Sequence, residues 1–338
     1  MSIRSLLAFA ASTATLLAAC GASAAPAYKV AGAVPGPDGG WDYASFDSGL
    51  QRVYVSHADS VFAVNAKDNT TVPHLGDAPH GHKVVPLDGG AVLAVTTGGD
   101  NTLRFIDAHT GAAIASVPTG TGPDSAMFDA QSGLVIVAAH KAGEVDLIDP
   151  KAHKAVGSIT VGGTLEELAT DGEGHLYVNV ENLNEVVAID LKSRAVIKHL
   201  KLDGCDGPTG LVYAPDAHAL VAACDGKAAV IDTHGFRLEK LLDIGQGPDA
   251  ALYDPKRKLV LIPCGQSGEL VAIEARAPGK LSVVGRYPTE KSARTGAIDP
   301  ATGTIYLPAA RFAPPAPGAR RGAMEPGSFH IVVVKPGA

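Results

Sequence analysis

Residues 122–161 read GPDSAMFDAQSGLVIVAAHKAGEVDLIDPKAHKAVGSITV, and this stretch decides the architecture. Ser125–Asp129 is followed by the turn Ala130–Gly133, then by the apolar runs Leu134–Ala139, Glu144–Ile148 and Ala155–Val161. Short runs rich in Val and Ile, bounded by Gly, Pro and Asp, are strands. They are nearly continuous rather than alternating, which predicts sheets covered on both faces. The stretch therefore encodes four short strands in one unit.

Outward from it, the pair that closes the third strand recurs: Val64-Asn65, Ile106-Asp107, Ile148-Asp149, Ile189-Asp190, Ile231-Asp232 and Ile273-Glu274. The second members stand 42, 42, 41, 42 and 42 residues apart. A second landmark keeps the beat: Ala78-Pro79-His80-Gly81, Gly122-Pro123-Asp124, Gly207-Pro208-Thr209-Gly210 and Gly247-Pro248-Asp249. A period near 42 with four strands per unit is the signature of a β-propeller. The last unit supplies Thr295–Asp299, Thr304–Leu307 and Phe329–Val334 but no fourth strand. The N-terminal segment Tyr28–Val34 has no unit of its own, so it should add the missing outer strand and close the ring. The prediction is an all-β, seven-bladed propeller of four-stranded antiparallel blades, in one domain over residues 27–338.

The beat breaks once. A last apolar strand, Ile331–Val334, ends 60 residues after Glu274, and the surplus of 18 is Arg311–Ser328, RFAPPAPGARRGAMEPGS. Pro-rich composition makes such a segment extended and semi-stiff. It joins the second and third strands of the last blade, and Arg311, Arg320 and Arg321 give it local positive charge. Two readings stand, a lid or docking arm and a solvated loop.

Composition agrees with this architecture. The 338 residues are 46% hydrophobic, 19% charged and 5% aromatic, with 39 Gly, 23 Pro and one Trp. That is too apolar for a disordered chain, and the Gly and Pro supply many tight turns. The net charge of −7 argues against a nucleic-acid binder, which shows a basic face.

Residues 1–25, MSIRSLLAFAASTATLLAACGASAA, have the form of a secretory signal: Arg4, an apolar run from Leu6 to Ala19, then small residues. Ala22-Ser23-Ala24 suits ordinary cleavage, while residues 17–20, Leu-Ala-Ala-Cys, suit a lipobox that would lipidate Cys20. Both readings predict an exported protein, periplasmic or secreted in the first case and an outer-membrane lipoprotein in the second. A lipid anchor would be its sole membrane attachment. Cys205 and Cys224 fall at one face of the fifth unit, and an oxidising compartment permits a disulfide between them. Cys264 occupies the matching strand end one unit on and is expected to be a buried free thiol.

Arg52-Val53-Tyr54-Val55-Ser56-His57, Leu176-Tyr177-Val178-Asn179-Val180 and the strand-closing Ile-Asp pairs resemble the bacterial YVTN-type propeller repeat. Gly204-Cys205-Asp206-Gly207-Pro208-Thr209-Gly210-Leu211 and Ser292-Ala293-Arg294-Thr295-Gly296-Ala297-Ile298-Asp299-Pro300 resemble its exported, YncE-like branch. The resemblance spans the chain after the leader. It implies the propeller fold and export, and it leaves the activity open, since fold does not fix function.

In a propeller the residues leading each innermost strand converge on one channel opening. Here they are Trp41-Asp42, His80-Gly81-His82, Asp124, Glu166-Glu167, Thr209, Asp249 and Arg294. The candidate ligand-binding mouth is thus Trp41, Asp42, His80, Asp124, Glu166, Thr209, Asp249 and Arg294. The candidate metal ligands are His80, His82, Asp124, Glu166 and Asp249, because carboxylates with His suit Ca²⁺, Mn²⁺ or Zn²⁺. His80 and His82 would share a strand face at period 2. His80 alone sits at the position matching the resembling family's loop. The alternative is a water-filled polar channel whose Asp side chains accept turn N–H groups. Asp107, Asp149, Asp190 and Asp232 belong to a different class and are turn-forming residues.

Three functions remain. The first is a non-catalytic scaffold presenting its acidic mouth to a small ligand, a metal ion or a periplasmic protein. The second is a metal-dependent, lactonase-like hydrolase, and the third is single-stranded DNA binding, which the resemblance suggests. There is no GxSxG, HExxH or phosphate loop, so no catalytic residue is assigned. Stacking platforms and a basic groove for DNA are not evident.

Overall fold

The structure, a computed structural model, describes residues 27–315, 318 and 322–337. The leader, with Cys20 and both cleavage motifs, lies outside the described residues, as do Arg320 and Arg321. No described helix is long and apolar enough to cross a membrane.

Seven four-stranded sheets form the ring. Blade three consists of Pro123–Asp129, Leu134–Ala139, Glu144–Asp149 and Lys154–Thr160, in antiparallel order. Its second strand is buried along nearly its whole length, whereas its fourth is exposed at almost every position. The continuous apolar runs are therefore central strands with both faces covered, and the polar runs are outer edges. Blade seven has the order Tyr28–Pro35, His330–Pro336, Ile305–Ala309, Ala297–Ile298, so the N-terminal strand completes the last blade.

The core is divided into seven apolar clusters, each built across two neighbouring blades. One joins Val221 and Val230 of blade five to Ile262 and Val271 of blade six. Another joins Val53 and Phe62 of blade one to Ile331 of blade seven. Each sheet buries one face against each neighbour, so no blade has a core of its own.

The strand-closing Asp residues are turn formers, as expected. Asp107 accepts the N–H groups of His109 and Thr110, Asp149 those of Lys151 and Ala152, Asp190 that of Ser193, and Asp232 those of His234 and Gly235. The Gly-Pro turns use glycine for its backbone freedom: Gly122 and Gly247 have φ of 66°. At Gly247 an added Cβ would meet the Gln266 side chain at 2.4 Å.

Cys205 and Cys224 form a disulfide with Cα atoms 5.4 Å apart, and Cys264 is free and buried. Burial pushes the Cys264 thiol up to about 12, so it is inert as a nucleophile. The bond staples the loop before blade five to the end of that blade's second strand, across a separation of 19 residues. A closed loop of this size stabilises by about 3 kcal/mol. The Cys205→Ala/Cys224→Ala chain should therefore melt several degrees lower, and a melting temperature equal to that of the parent would contradict this.

The surplus segment of blade seven is an ordered ribbon where it is described. Phe312 bridges Met324, Ala313 donates to the Ala323 carbonyl and Glu325 donates to that of Arg311. The carboxylate of Asp38 accepts the N–H groups of Gly327, Ser328 and Phe329 and anchors the returning strand. Those donors hold the Asp38 carboxyl below the usual range.

Candidate functional site

The channel mouth is made by a repeated irregularity. In blades one to four the first strand slips register against the second, between Trp41/Ala44, Gly81/Val84, Pro123/Ala126 and Leu165/Leu168. Each slip is a β-bulge holding two residues, and bulges re-aim side chains. The first residues of the four bulges are Asp42, His82, Asp124 and Glu166, which line the mouth. The second residues are Tyr43, Lys83, Ser125 and Glu167. Three of these form a layer beneath: the Lys83 ammonium lies 4.4 Å from the Tyr43 ring and 3.5 Å from Glu167 Oε1.

Three of the bulges are held by the preceding blade. Ser56 donates to the His82 carbonyl, Thr96 to that of Asp124 and Thr295 to that of Asp42. Asn179 likewise donates to the carbonyls of Thr209 and Gly210. All four donors are fully buried, so the backbone under the mouth is fixed from below.

The mouth encloses about 300 Å³. Asp42 Oδ2 lies 2.7 Å from His82 Nδ1, and Asp124 Oδ1 lies 3.3 Å from the same atom. On the other side, His140 Nδ1 stands 3.1 Å from Glu166 Oε1 and 4.0 Å from Asp124 Oδ2. Asp249 accepts a 2.5 Å bond from Arg294 Nε, and an Arg294 NH₂ nitrogen reaches Asp42 at 3.9 Å. Two groups of three have ligand atoms within 4.8 Å of one another: Asp42, His82 and Asp124, and Asp124, His140 and Glu166.

The candidate residues thus divide. Asp42, His82, Asp124 and Glu166 come together, and Asp249 and Arg294 pair at the rim of the same cavity. His80 also lines it, but His82, not His80, makes the carboxylate contacts. The period-2 argument fails because His80 precedes the strand in a left-handed turn, with φ 49°. Its ring still meets that of His82 edge-on at 4.8 Å. Trp41 does not face the mouth: it is 8% exposed and packs on Phe329 and Phe312 under the blade-seven ribbon. Thr209 donates to the Pro248 carbonyl and is structural. Glu167 is buried and serves the layer beneath.

His140 was absent from the expected set. It follows the second strand of blade three directly, and the loops after second strands open on the same face as the leading residues. Reading those loops as well would have found it.

Crowded carboxylates shape the electrostatics. Burial, then Asp42 and Glu166, push the Asp124 carboxyl well above its ordinary range. Burial lifts Glu166 to about 7, and the bond from Glu166 lifts His140 to about 9. Burial opposes the charge on His82, but Asp42 and Asp124 outweigh it and raise this group too. The folded chain without metal therefore holds protons that the unfolded chain releases, so these groups make stability fall as pH rises. The His140 contribution is full below its unfolded value of 6.5 and is lost as pH climbs through about 9. Glu166 adds a penalty that grows between 4.5 and about 7. In chelator, melting temperature should fall between about pH 6 and pH 9.5 by at least about 2 °C more than in a Glu166→Gln/His140→Gln chain. Parallel curves for the two chains would show that the pair is not protonated in this way.

The cavity continues into a larger cleft of about 910 Å³ between blade six and the blade-seven ribbon. Asp249 and Arg294 belong to both, and Phe312, Ala313 and Pro315 form the far wall. Arg311 lines this cleft but pairs with Glu325 of its own ribbon at 2.9 Å, so its charge is answered locally.

No family model and no curated protein matches the chain. Solved structures do. A chain of Kuenenia stuttgartiensis hydrazine synthase superposes with a TM-score of 0.70 at 17% identity, over 81% of this chain and 92% of that one. A chain of the mitotic checkpoint complex gives 0.70 at 13% identity, over 99% of both. At these identities the likeness shows the fold alone. The chain is a seven-bladed β-propeller with an acidic, histidine-bearing channel mouth.

Proposed function

We propose that this protein is an exported propeller scaffold that holds a divalent cation at its channel mouth and presents it to a small ligand or a periplasmic protein. One observation carries the reading: three carboxylates and two imidazoles from four blades converge in one small cavity, as two groups of three that share Asp124 and whose ligand atoms lie within 4.8 Å of one another. Imidazole with carboxylate suits Zn²⁺ or Mn²⁺ better than Ca²⁺, which takes oxygen ligands. The fixed backbone below the mouth supports preorganised ligands. Export is proposed on the leader sequence, and the Cys205–Cys224 bond is consistent with an oxidising compartment. Membership of the YVTN-type, YncE-like group is likewise proposed, on the repeat residues. The acidic mouth opposes the binding of phosphate backbones, so single-stranded DNA is not the favoured ligand.

Metal analysis of protein purified from the periplasm tests the scaffold reading. The native chain should carry a stoichiometric first-row cation that a chelator removes and Zn²⁺ restores, and Asp124→Asn should carry far less. A chain purified without metal that also fails to take up Zn²⁺ overturns the proposal.

A further inference from the structure

We infer that the mouth is built for two divalent cations bridged by the Asp124 carboxylate. The inference rests on the cation reading above and goes beyond it in number and arrangement. The two ligand groups share one residue, Asp124. Its two oxygens face opposite ways: Oδ1 lies on the His82 side at 3.3 Å, and Oδ2 on the His140 side at 4.0 Å. Each side then completes one imidazole and two carboxylates, with Asp42 on the first and Glu166 on the second. A carboxylate between two such groups is the usual link in two-metal sites, whose ions stand about 3.5–4 Å apart.

One further observation points the same way. Asp124 Oδ1 is buried and accepts no hydrogen bond, because the His82 Nδ1 that stands 3.3 Å from it makes its closer contact, at 2.7 Å, with Asp42. A bound cation would supply the partner this buried oxygen lacks.

The test is a titration of the full chain, stripped with chelator and then loaded with Zn²⁺ for calorimetry and native mass spectrometry, or with Mn²⁺ for electron paramagnetic resonance. The native chain should take up two Zn²⁺, and with Mn²⁺ it should give the spectrum of an exchange-coupled pair. Asp42→Ala/His82→Ala and His140→Ala/Glu166→Gln should each retain one ion and lose the coupling. Asp124→Asn, which keeps the backbone bond to Thr96, should lose the coupling and weaken both sites. A single Zn²⁺ abolished by either half-site variant would overturn the pair while leaving the single-cation reading intact. Two uncoupled ions, both surviving Asp124→Asn, would overturn the bridge. No tight Zn²⁺ at all would overturn both readings.

Discussion

Deleting residues 27–36 is expected to unfold the ring rather than trim it. Tyr28–Pro35 pairs with His330–Pro336 along almost its full length, with a single bulge between Val30 and Gly32. Without it the last blade has three strands, and its third strand becomes an unpaired edge. Ile331, Val332 and Val334, all fully buried, lie on that strand. The N-terminal strand also reaches the preceding blade. Tyr28 is 3% exposed, stacks at a tilt on Tyr287, and donates from its hydroxyl to Asp254 Oδ2 at 3.2 Å. Asp254 is fully buried and pairs with Arg257, so loss of Tyr28 would also open that pair to water. Burial of Tyr28 and Val34 alone is worth roughly 4 kcal/mol, and the lost ladder of backbone bonds adds to it. Domains of this kind have about 5–15 kcal/mol in total. The truncated chain should accumulate as aggregate, or show no cooperative melt. A soluble product melting within about 5 °C of the parent would show that ring closure by this strand is dispensable. Tyr28→Phe is the milder probe, removing only the hydroxyl bond at a cost of about 1 kcal/mol.

The architecture was legible because a propeller repeats its grammar. A spacing of 42 between Ile-Asp pairs survives any single departure, and the one unit out of step located the blade-seven ribbon. The disulfide was legible for the same reason, since Cys205 and Cys224 fall at one end of one blade. The site was only partly legible. Asp42, Asp124 and Glu166 follow from counting leading residues. The choice between His80 and His82 does not, because it depends on a bulge that the apolar pattern does not mark. The corresponding bulge of blade four sends Glu166 outward and Glu167 inward, although both residues are acidic and adjacent. Trp41 was misplaced because an aromatic ring at a channel position has two ways to turn, and Phe312 of the ribbon drew it into the core. Of the donors Ser56, Thr96, Asn179 and Thr295, three fall inside the repeat motifs, but nothing in one sequence tells which carbonyls they hold. Their polarity reads as ordinary strand variation until the neighbouring carbonyls are in view.

The adjacent pair Glu166 and Glu167 gives the other large expected effect, and the two residues should respond in different ways. Glu167 Oε2 accepts the N–H groups of Leu211 at 2.9 Å and Ala251 at 3.3 Å, from blades five and six. Its Oε1 faces the Lys83 ammonium of blade two, and Lys83 in turn covers Tyr43 of blade one. One buried carboxylate thus ties the floor of the channel across the ring. Burial raises its pKa, yet Lys83 and the two backbone donors oppose that rise. Glu167→Ala would strand a largely buried ammonium and two buried N–H groups, and breaking a buried pair from one side costs about 3–5 kcal/mol. Melting should fall by roughly 10 °C. Glu167→Gln keeps an oxygen for the N–H groups and should cost less. Lys83→Met/Glu167→Ala should be milder than Glu167→Ala alone, because no charge is left unpaired. Glu166→Gln removes a carboxylate that burial, Asp249 and Asp124 disfavour, and with it the bond that holds the His140 charge; the two changes oppose, so in chelator it should melt close to the parent while losing cation affinity. If Glu166→Gln is the destabilised chain and Glu167→Ala melts like the parent, the division of the bulges into a ligating rim and a structural floor is wrong.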